Sequence, residues 1–205
     1  MARLLVRPQD RQIARRWLEC TGSPRHKPIG QRRYGVDVAE PSNTASGIGP
    51  LDAAHYRSVL GHFASGVTIV TAMTSSGPVG FTCQSFSSLS LDPPLIWIAP
   101  ATSSSTWPLI DRVGAFTVNV LGADQETLAR EFARSGADKF AGIGYDLGVT
   151  GAPRIHGTLA QIDCTVWSVA EAGDHYSVVG AVAGLASAHG LPLLFFRGGF
   201  GEFSQ

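Results

Sequence analysis

The chain has 205 residues, of which 44% are hydrophobic and 16% charged, and its formal net charge is zero. This composition excludes a chain that is disordered throughout and predicts one domain of about 150 residues with an extension. No apolar run approaches the roughly 20 residues that span a bilayer, and the first 30 residues lack the apolar segment and cleavage site of a secretory signal, so we predict no membrane contact.

Residues 1–50 differ in composition from the remainder. Residues 1–48 hold nine Lys and Arg but four Asp and Glu, and repeated Pro, Gly and Ser interrupt any helix. We therefore predict a basic, poorly ordered N-terminal extension over 1–50 and one domain over 51–205. A basic tail can bind nucleic acid, but these arginines form neither a helical stripe nor an alternation with aromatic residues, so we predict no nucleic-acid partner.

The three cysteines, Cys20, Cys83 and Cys164, are far apart and odd in number. No CxxC pair or Cys/His cluster is present, so the sequence indicates neither a disulfide framework nor a metal site. Reduced thiols are typical of the cytoplasm, and we predict a cytoplasmic protein.

The domain is predicted to open with a helix that Asp52 caps. Four apolar residues follow at helical spacing and should form one buried face: Tyr56, Val59, Leu60 and Phe63. A β-branched strand over 67–73 and a second strand over 79–82 flank the turn residues Ser-Ser-Gly-Pro, so the two strands should form a hairpin.

A short apolar strand is predicted over 95–99, because the two prolines before it favour an extended entry. Ser103 or Ser104 should then cap a short helix that runs to Val113, and Gly114 should close that helix.

The run 115–121 predicts a further strand, and a helix from about 124 to 134 should follow with Leu128 and Phe132 turned inward. Residues 142–149 are rich in glycine and spaced GxGxxxG, with no strong strand before them and no helical pattern after them. We therefore predict an ordinary loop there and not a dinucleotide fingerprint.

Two long strands over 159–169 and 176–185 should flank a turn, and 193–196 should be the last strand. Strands dominate, hairpins join several of them, and no regular βαβ alternation exists. The fold class predicted is mainly β with flanking helices, in a closed antiparallel barrel.

The stretch 78–108 combines ten Ser and Thr residues with strand-like apolar segments, and Asp92 is its only ionisable residue. We interpret it as a folded pocket wall for a polar, anionic ligand. Residues 103–106 place hydroxyls at a helix start, where N–H groups can bind an anion, and Lys139 is a candidate second phosphate partner. The alternatives are a serine-rich cap with nothing bound and a solvated lysine.

Two further residues suit a flat heteroaromatic ligand. Gly80 permits close approach of the backbone, and the Gln84 amide can donate and accept hydrogen bonds at once. His175 lies at a strand-entry turn beside an acid, and a solvated histidine is the alternative to a binding role.

Six segments taken together resemble a known family in their order and spacing: 63–71, 80–95, 116–121, 138–140, 173–175 and 192–198. From Leu51 to Gly201 the chain resembles the flavin reductase-like, FMN-binding split-barrel family. More narrowly, it is similar to the NADH-dependent reductase components of two-component aromatic or steroid-ring monooxygenases.

The resemblance implies a homodimer of antiparallel split β-barrels that binds FMN or FAD, takes NADH or NADPH, and supplies reduced flavin to a separate oxygenase component by diffusion. By position, the residues implied to line the flavin ring and ribityl chain are Val79, Gly80, Phe81, Thr82, Gln84 and Ser85. Those implied to follow the ribityl-phosphate are Ala99, Pro100, Ala101, Ser105 and Thr106, with Lys139 and Phe140 closing the site. His175 is implied to contact the nicotinamide nucleotide.

The sequence departs from many relatives at Cys83 and Gln84, where Ala and Asn are common, although the Cys-Gln pair is found in the steroid-ring branch. The functional hypothesis is an NAD(P)H:flavin oxidoreductase, in which His175 positions the nicotinamide nucleotide and no side chain acts as general acid or base. The alternative within the same fold is a non-catalytic FMN-binding or electron-carrier protein.

Overall fold

Twelve β-strands and three α-helices make up the part of the chain that the computed structural model describes, residues 52–136 and 138–203. The predicted extension over 1–50 lies outside these residues and stays a prediction. No helix in the described ranges is both long and apolar enough to cross a membrane.

The helices are α1 (Ala53–Leu60), α2 (Trp107–Val113) and α3 (Glu126–Ala133), and a 3-10 turn (Ala123–Gln125) directly precedes α3. The strands are β1 (Ser65–Gly66), β2 (Thr68–Thr74), β3 (Gly77–Cys83), β4 (Phe86–Leu91), β5 (Pro94–Ile98), β6 (Ala115–Val120), β7 (Tyr145–Leu147), β8 (Pro153–Ile155), β9 (Ala160–Ala172), β10 (His175–Ser187), β11 (Leu193–Phe196) and β12 (Gly199–Glu202).

Seven strands form the main sheet in the order β3-β2-β6-β9-β10-β5-β4, and every neighbouring pair is antiparallel. A three-stranded sheet (β1-β11-β12) and a two-stranded sheet (β7-β8) complete the described strands. The hairpin of β9 and β10 turns at Gly173, whose φ of 67° lies in the left-handed region that glycine adopts without strain. Strands β3 and β4 are the two edges of the main sheet.

The core has two parts that meet at β2. Successive side chains of a strand point to opposite faces, so Val70 packs into one cluster with Phe116 and Trp107 while Ile69 packs into the other with Phe132. Residues 67–72 are consequently all buried. The second cluster fixes α3 against β2 and β3, which places the C-terminal end of α3 beside the edge strand.

The predicted hairpin is confirmed as β2 and β3, and the predicted strands over 95–99, 115–121, 159–169 and 176–185 are present with shifted ends. Three expectations were wrong. Strand β4 was not predicted, β12 follows the strand that was expected to be last, and the loop over 142–149 contains β7. Strand β4 lies at an edge and is half Ser, so its hydroxyls conceal the apolar alternation that marks a half-buried strand.

The predicted buried face of α1 is also wrong in the single chain. Asp52 caps the helix as expected, since its carboxylate accepts hydrogen bonds from the backbone N–H groups of Ala54 (3.3 Å) and His55 (3.1 Å). However, the apolar side chains after it are 52–83% exposed: Tyr56, Val59, Leu60 and Phe63. Helical spacing reports an amphipathic face but does not say which surface covers it.

Helix α2 begins at Trp107, four residues after the earliest predicted cap. The Ser104 hydroxyl accepts hydrogen bonds from the N–H groups of Thr106 (3.3 Å) and Trp107 (3.1 Å). The serine-rich run therefore precedes the helix and is not its first turn. Gly114 ends α2 with a φ of 75°, as predicted.

A buried ion pair ties the chain after α3 to the main sheet. The Asp163 carboxylate on β9 is fully buried and accepts hydrogen bonds from Arg154 Nε (3.1 Å) and Nη2 (2.6 Å). It also accepts from the Thr117 hydroxyl (2.7 Å) and the Val149 N–H (2.7 Å). Four donors satisfy both carboxylate oxygens, and they come from β6, β8 and the β7–β8 connection.

Candidate functional site

Two adjoining cavities open along the edge strand β3. The hydroxyl cavity, of about 400 Å³, is lined by residues 78–82, residues 103–106, the C-terminal end of α3 and Lys139. The histidine cavity, of about 680 Å³, is lined by residues 81–85, residues 99–101, α3, and His175. Both cavities share Phe81, Thr82, Ala101, Ser104, Ala133 and Arg134, so they form one continuous groove.

Every site residue predicted from the sequence lines this groove. In the hydroxyl cavity lie Val79, Gly80, Phe81, Thr82, Ala101, Ser105, Thr106, Lys139 and Phe140. In the histidine cavity lie Phe81, Thr82, Gln84, Ser85, Ala99, Pro100, Ala101 and His175. Five different elements and connections contribute, so the clustering is a property of the fold and not of sequence proximity.

Strand β3 forms the floor of the groove. Because β3 has β2 as its only strand neighbour in the main sheet, its outward N–H and C=O groups are not used by another strand. At Gly80 a Cβ would come within 2.9 Å of the Phe132 ring and 3.0 Å of the Val70 carbonyl oxygen. The lack of a side chain at Gly80 therefore lets α3 pack directly against the floor.

Lys139 braces the two walls of the hydroxyl cavity. Its ammonium donates hydrogen bonds to the backbone carbonyls of Gly80 (3.1 Å) and Phe132 (2.9 Å), which belong to β3 and α3. An ammonium has three N–H donors, so one remains for a ligand. Partial burial lowers the pKa of Lys139 from its ordinary value of 10.5, because desolvation disfavours the charged form.

The hydroxyls of the groove divide into those the protein uses and those it leaves for a ligand. Ser104 accepts from the backbone at the start of α2, and Thr82 donates to the Ala129 carbonyl (2.6 Å). The hydroxyls of Ser105 and Thr106 have no hydrogen-bond partner among residues 52–136 and 138–203. They line the hydroxyl cavity, as Lys139 does, and are available there as neutral donors.

His175 is held in the histidine cavity by its neighbour and by the chain around it. Its Nδ1 lies 2.7 Å from Asp174 Oδ1, and this hydrogen bond lowers the pKa of the Asp174 carboxyl. The adjacent N–H of Tyr176 donates to the Pro100 carbonyl (2.8 Å), which fixes the start of β10 against the 99–101 segment. Nδ1–H faces the carboxylate, which leaves Nε2 for a ligand.

Sequence reasoning missed two kinds of groove residue: Arg130 on α3 with Arg134 just after it, and the aromatic residues Phe195 and Phe200. The i, i+4 spacing of the arginines within a predicted helix was the available signal, since such residues share one helix face. Cys83 also lines the histidine cavity, and burial raises the pKa of its thiol to about 11.

The groove combines neutral hydroxyl donors, backbone groups of an edge strand that no other strand uses, and the cations Lys139, Arg130 and Arg134. This combination suits a flat ligand with phosphate groups. The flavin reductase like domain family matches residues 60–204 of the chain. The chain belongs to this family. Its fold is the antiparallel split β-barrel that the sequence predicted.

This flavin reductase-like chain is similar to three named proteins. It is 45% identical over 153 residues to the reductase subunit HsaB of a flavin-dependent monooxygenase from Mycobacterium tuberculosis, covering 73% of this chain and 82% of that protein. It is 43% identical to the FMN reductase (NADH) SmoA of Agrobacterium fabrum, covering 77% and 90%. The crystal structure of nitrilotriacetate monooxygenase component B from Mycobacterium thermoresistibile has a TM-score of 0.72 and 44% identity, covering 74% and 86%.

Proposed function

We propose that this chain transfers a hydride from NADH to FMN or FAD and supplies the reduced flavin to a separate oxygenase. The observation that carries the proposal is the gathering of all fourteen predicted site residues along one groove. Two relatives support it: one at 45% identity is the reductase subunit of a flavin-dependent monooxygenase, and one at 43% is an NADH-dependent FMN reductase.

The residues present fit a flavin. The outward backbone groups of β3 that no other strand uses offer donors and acceptors to the edge of a flat ring. The unused hydroxyls of Ser105 and Thr106 and the third N–H of Lys139 would hold the phosphate. Hydroxyls bind a phosphate without a full compensating charge, which is compatible with a flavin that leaves after reduction.

The flavin would supply an electron-accepting ring for the hydride of the nicotinamide. The chain would supply orientation: β3 and the 99–101 segment bound the ring on two sides, and His175 holds the nicotinamide nucleotide in the adjoining cavity. Asp174 keeps the proton on Nδ1 of His175 and so fixes which nitrogen meets the ligand. Apolar side chains such as Phe81 and Phe140 exclude water from the groove.

The test is the oxidation of NADH by the purified full chain, followed at 340 nm with and without added FMN. We expect oxidation that depends on FMN. Repeating the assay with FAD and with NADPH ranks the substrates. Tight FMN binding with no flavin-dependent oxidation would contradict a reductase and favour a non-catalytic flavin carrier.

Replacing His175 with alanine is expected to raise the KM for NADH about tenfold, because the residue contacts the nicotinamide nucleotide through a hydrogen bond. The Kd for FMN should stay within twofold. The matched control is His189→Ala, which removes an exposed histidine outside both cavities and should change neither constant. A large loss of FMN affinity in His175→Ala would place the histidine at the flavin instead.

A homodimer and a cytoplasmic location belong to the same proposal. The exposed apolar face of α1 supports a dimer, since a contiguous apolar surface on a protein of this size favours association. Light scattering should give twice the chain mass of 21.6 kDa. The double replacement Leu60→Ser with Phe63→Ser should shift the protein toward monomer, whereas Leu147→Ser, an exposed residue of β7, should not. A wild-type chain that is monomeric at micromolar concentration would contradict this arrangement.

A further inference from the structure

Two arginines of the groove have no role in the function proposed so far. Arg130 lies on α3, Arg134 directly follows the last residue of that helix, and both residues line the histidine cavity. Arg134 lines the hydroxyl cavity as well, so its guanidinium stands where the two cavities join. The two side chains are 61% and 69% exposed, and a ligand can therefore reach them.

Each guanidinium is oriented by a carboxylate of its own helix but keeps most of its donors. Arg130 gives Nε (2.8 Å) and Nη2 (2.6 Å) to one oxygen of Glu126. Arg134 gives Nη1 to Glu131 at 3.0 Å. A guanidinium has five N–H groups, so three remain on Arg130 and four on Arg134. Exposed ion pairs of this kind are weak, and an incoming anion with two charges competes well with them.

An aromatic pair completes this wall. The Arg130 guanidinium lies 4.8 Å from the centroid of the Phe200 ring, and Phe200 packs edge-on against Phe195 at 5.2 Å. All three side chains line the histidine cavity. Guanidinium and aromatic groups both offer planar surfaces on which a purine can stack.

The charge of the cavity points to an anion. Among the described residues that line the histidine cavity, Arg130, Arg134 and His175 are basic and none is acidic. Two guanidiniums that line one cavity match two adjacent phosphates better than one, because each can take its own group. The cavity volume of about 680 Å³ leaves room for more than a nicotinamide ring.

We propose that Arg130 and Arg134 bind the diphosphate of an adenine dinucleotide, and that the adenine ring stacks in the pocket of Arg130 and Phe200. This inference rests on the proposed function and deepens it by assigning the adenosine diphosphate part of the substrate. Arg134 contributes more than Arg130, because Arg134 has more unengaged donors and lies nearer the hydroxyl cavity. NADH and FAD share this group, and the experiment separates them.

The first measurement is calorimetric titration of the full chain with ADP and with AMP. The wild type is expected to bind ADP more tightly than AMP. Arg134→Gln should weaken ADP binding about tenfold and Arg130→Gln about fivefold, as expected for partly exposed charge-assisted hydrogen bonds. The control is Arg112→Gln, an exposed arginine of α2 outside both cavities, which should bind ADP within twofold of the wild type.

The second measurement identifies the dinucleotide. If NADH supplies the diphosphate, Arg134→Gln raises the KM for NADH about tenfold and leaves the KM for reduced nicotinamide mononucleotide, which lacks the adenylate, within twofold. If FAD supplies it, the same variant weakens FAD binding and leaves FMN binding unchanged. Both results support the site.

Equal binding of ADP by the wild type and by both arginine variants, together with unchanged constants for both dinucleotides, overturns the inference. ADP binding that is no tighter than AMP binding also overturns the inference. The wild type could bind ADP, the arginine variants could lose this binding, and the wild type could show no flavin-dependent NADH oxidation. That result supports the site and contradicts the proposed reductase function. Unchanged melting temperatures of the glutamine variants confirm that they fold.

Discussion

Replacement of Lys139 by methionine is expected to weaken FMN binding at least tenfold, because an ammonium hydrogen bond to a phosphate is among the stronger polar contacts in proteins. Methionine keeps the length of the side chain and removes its charge and donors. The measurement is fluorescence titration of the chain with FMN and with riboflavin, which lacks the phosphate. FMN affinity should fall much more than riboflavin affinity.

Riboflavin serves as the control for FMN, because Lys139 is the only lysine of the described residues and no matched lysine variant is available there. Equal losses for FMN and riboflavin would show that Lys139 acts only by bracing the carbonyls of Gly80 and Phe132. The pH dependence gives a second check. Burial lowers the pKa of the ammonium, so on raising the pH half of the charged form is lost below pH 10.5. FMN affinity should fall in that alkaline range, while riboflavin affinity should not follow it.

Replacement of Asp163 by alanine is expected to lower the free energy of unfolding by about 3–5 kcal/mol, because it leaves the Arg154 guanidinium without its buried partner. The change also removes the acceptor of the Thr117 hydroxyl and the Val149 N–H. For a domain of this size the melting temperature should fall by about 10 °C. Urea denaturation and thermal melts followed by circular dichroism measure both quantities.

The matched control is Asp146→Ala, on β7. Its carboxylate is paired with His156 at 3.1 Å, but the two side chains are 85% and 59% exposed. Exposed pairs contribute little, so the unfolding free energy should change by less than about 0.5 kcal/mol. A similar loss of unfolding free energy in both variants would mean that burial does not explain the contribution of the Asp163–Arg154 pair to stability.

The strands that carry the groove could be predicted because their sequences obey local rules. Strand β2 is β-branched, the turn before β3 is rich in Ser, Gly and Pro, and Gly114 and Gly173 mark positions that need a left-handed backbone. The site residues were predicted from the resemblance, and the five separate segments that carry them all line the groove.

The remaining features depend on distant parts of the chain or on another molecule. The apolar face of α1 is amphipathic by sequence, but only a covering surface can bury it. The serines of β4 hide the apolar alternation of an edge strand. The start of α2 was misplaced because the Ser104 hydroxyl accepts backbone hydrogen bonds three residues before the helix begins at Trp107. The roles of Arg130 and Arg134 could not be inferred locally, because β11 and β12 supply the aromatic residues that complete their wall.

Burial of Cys83 and Cys164 affects how readily peroxide oxidises the protein. Reduced flavin that meets dioxygen in solution yields hydrogen peroxide, which oxidises cysteine through the thiolate. Burial raises the pKa of Cys83 to about 11 and that of Cys164 to about 12, the latter with help from the neighbouring Asp163 carboxylate. At neutral pH about one molecule in ten thousand or fewer carries either thiolate. A cysteine beside the groove can thus be kept without becoming a point of oxidative damage.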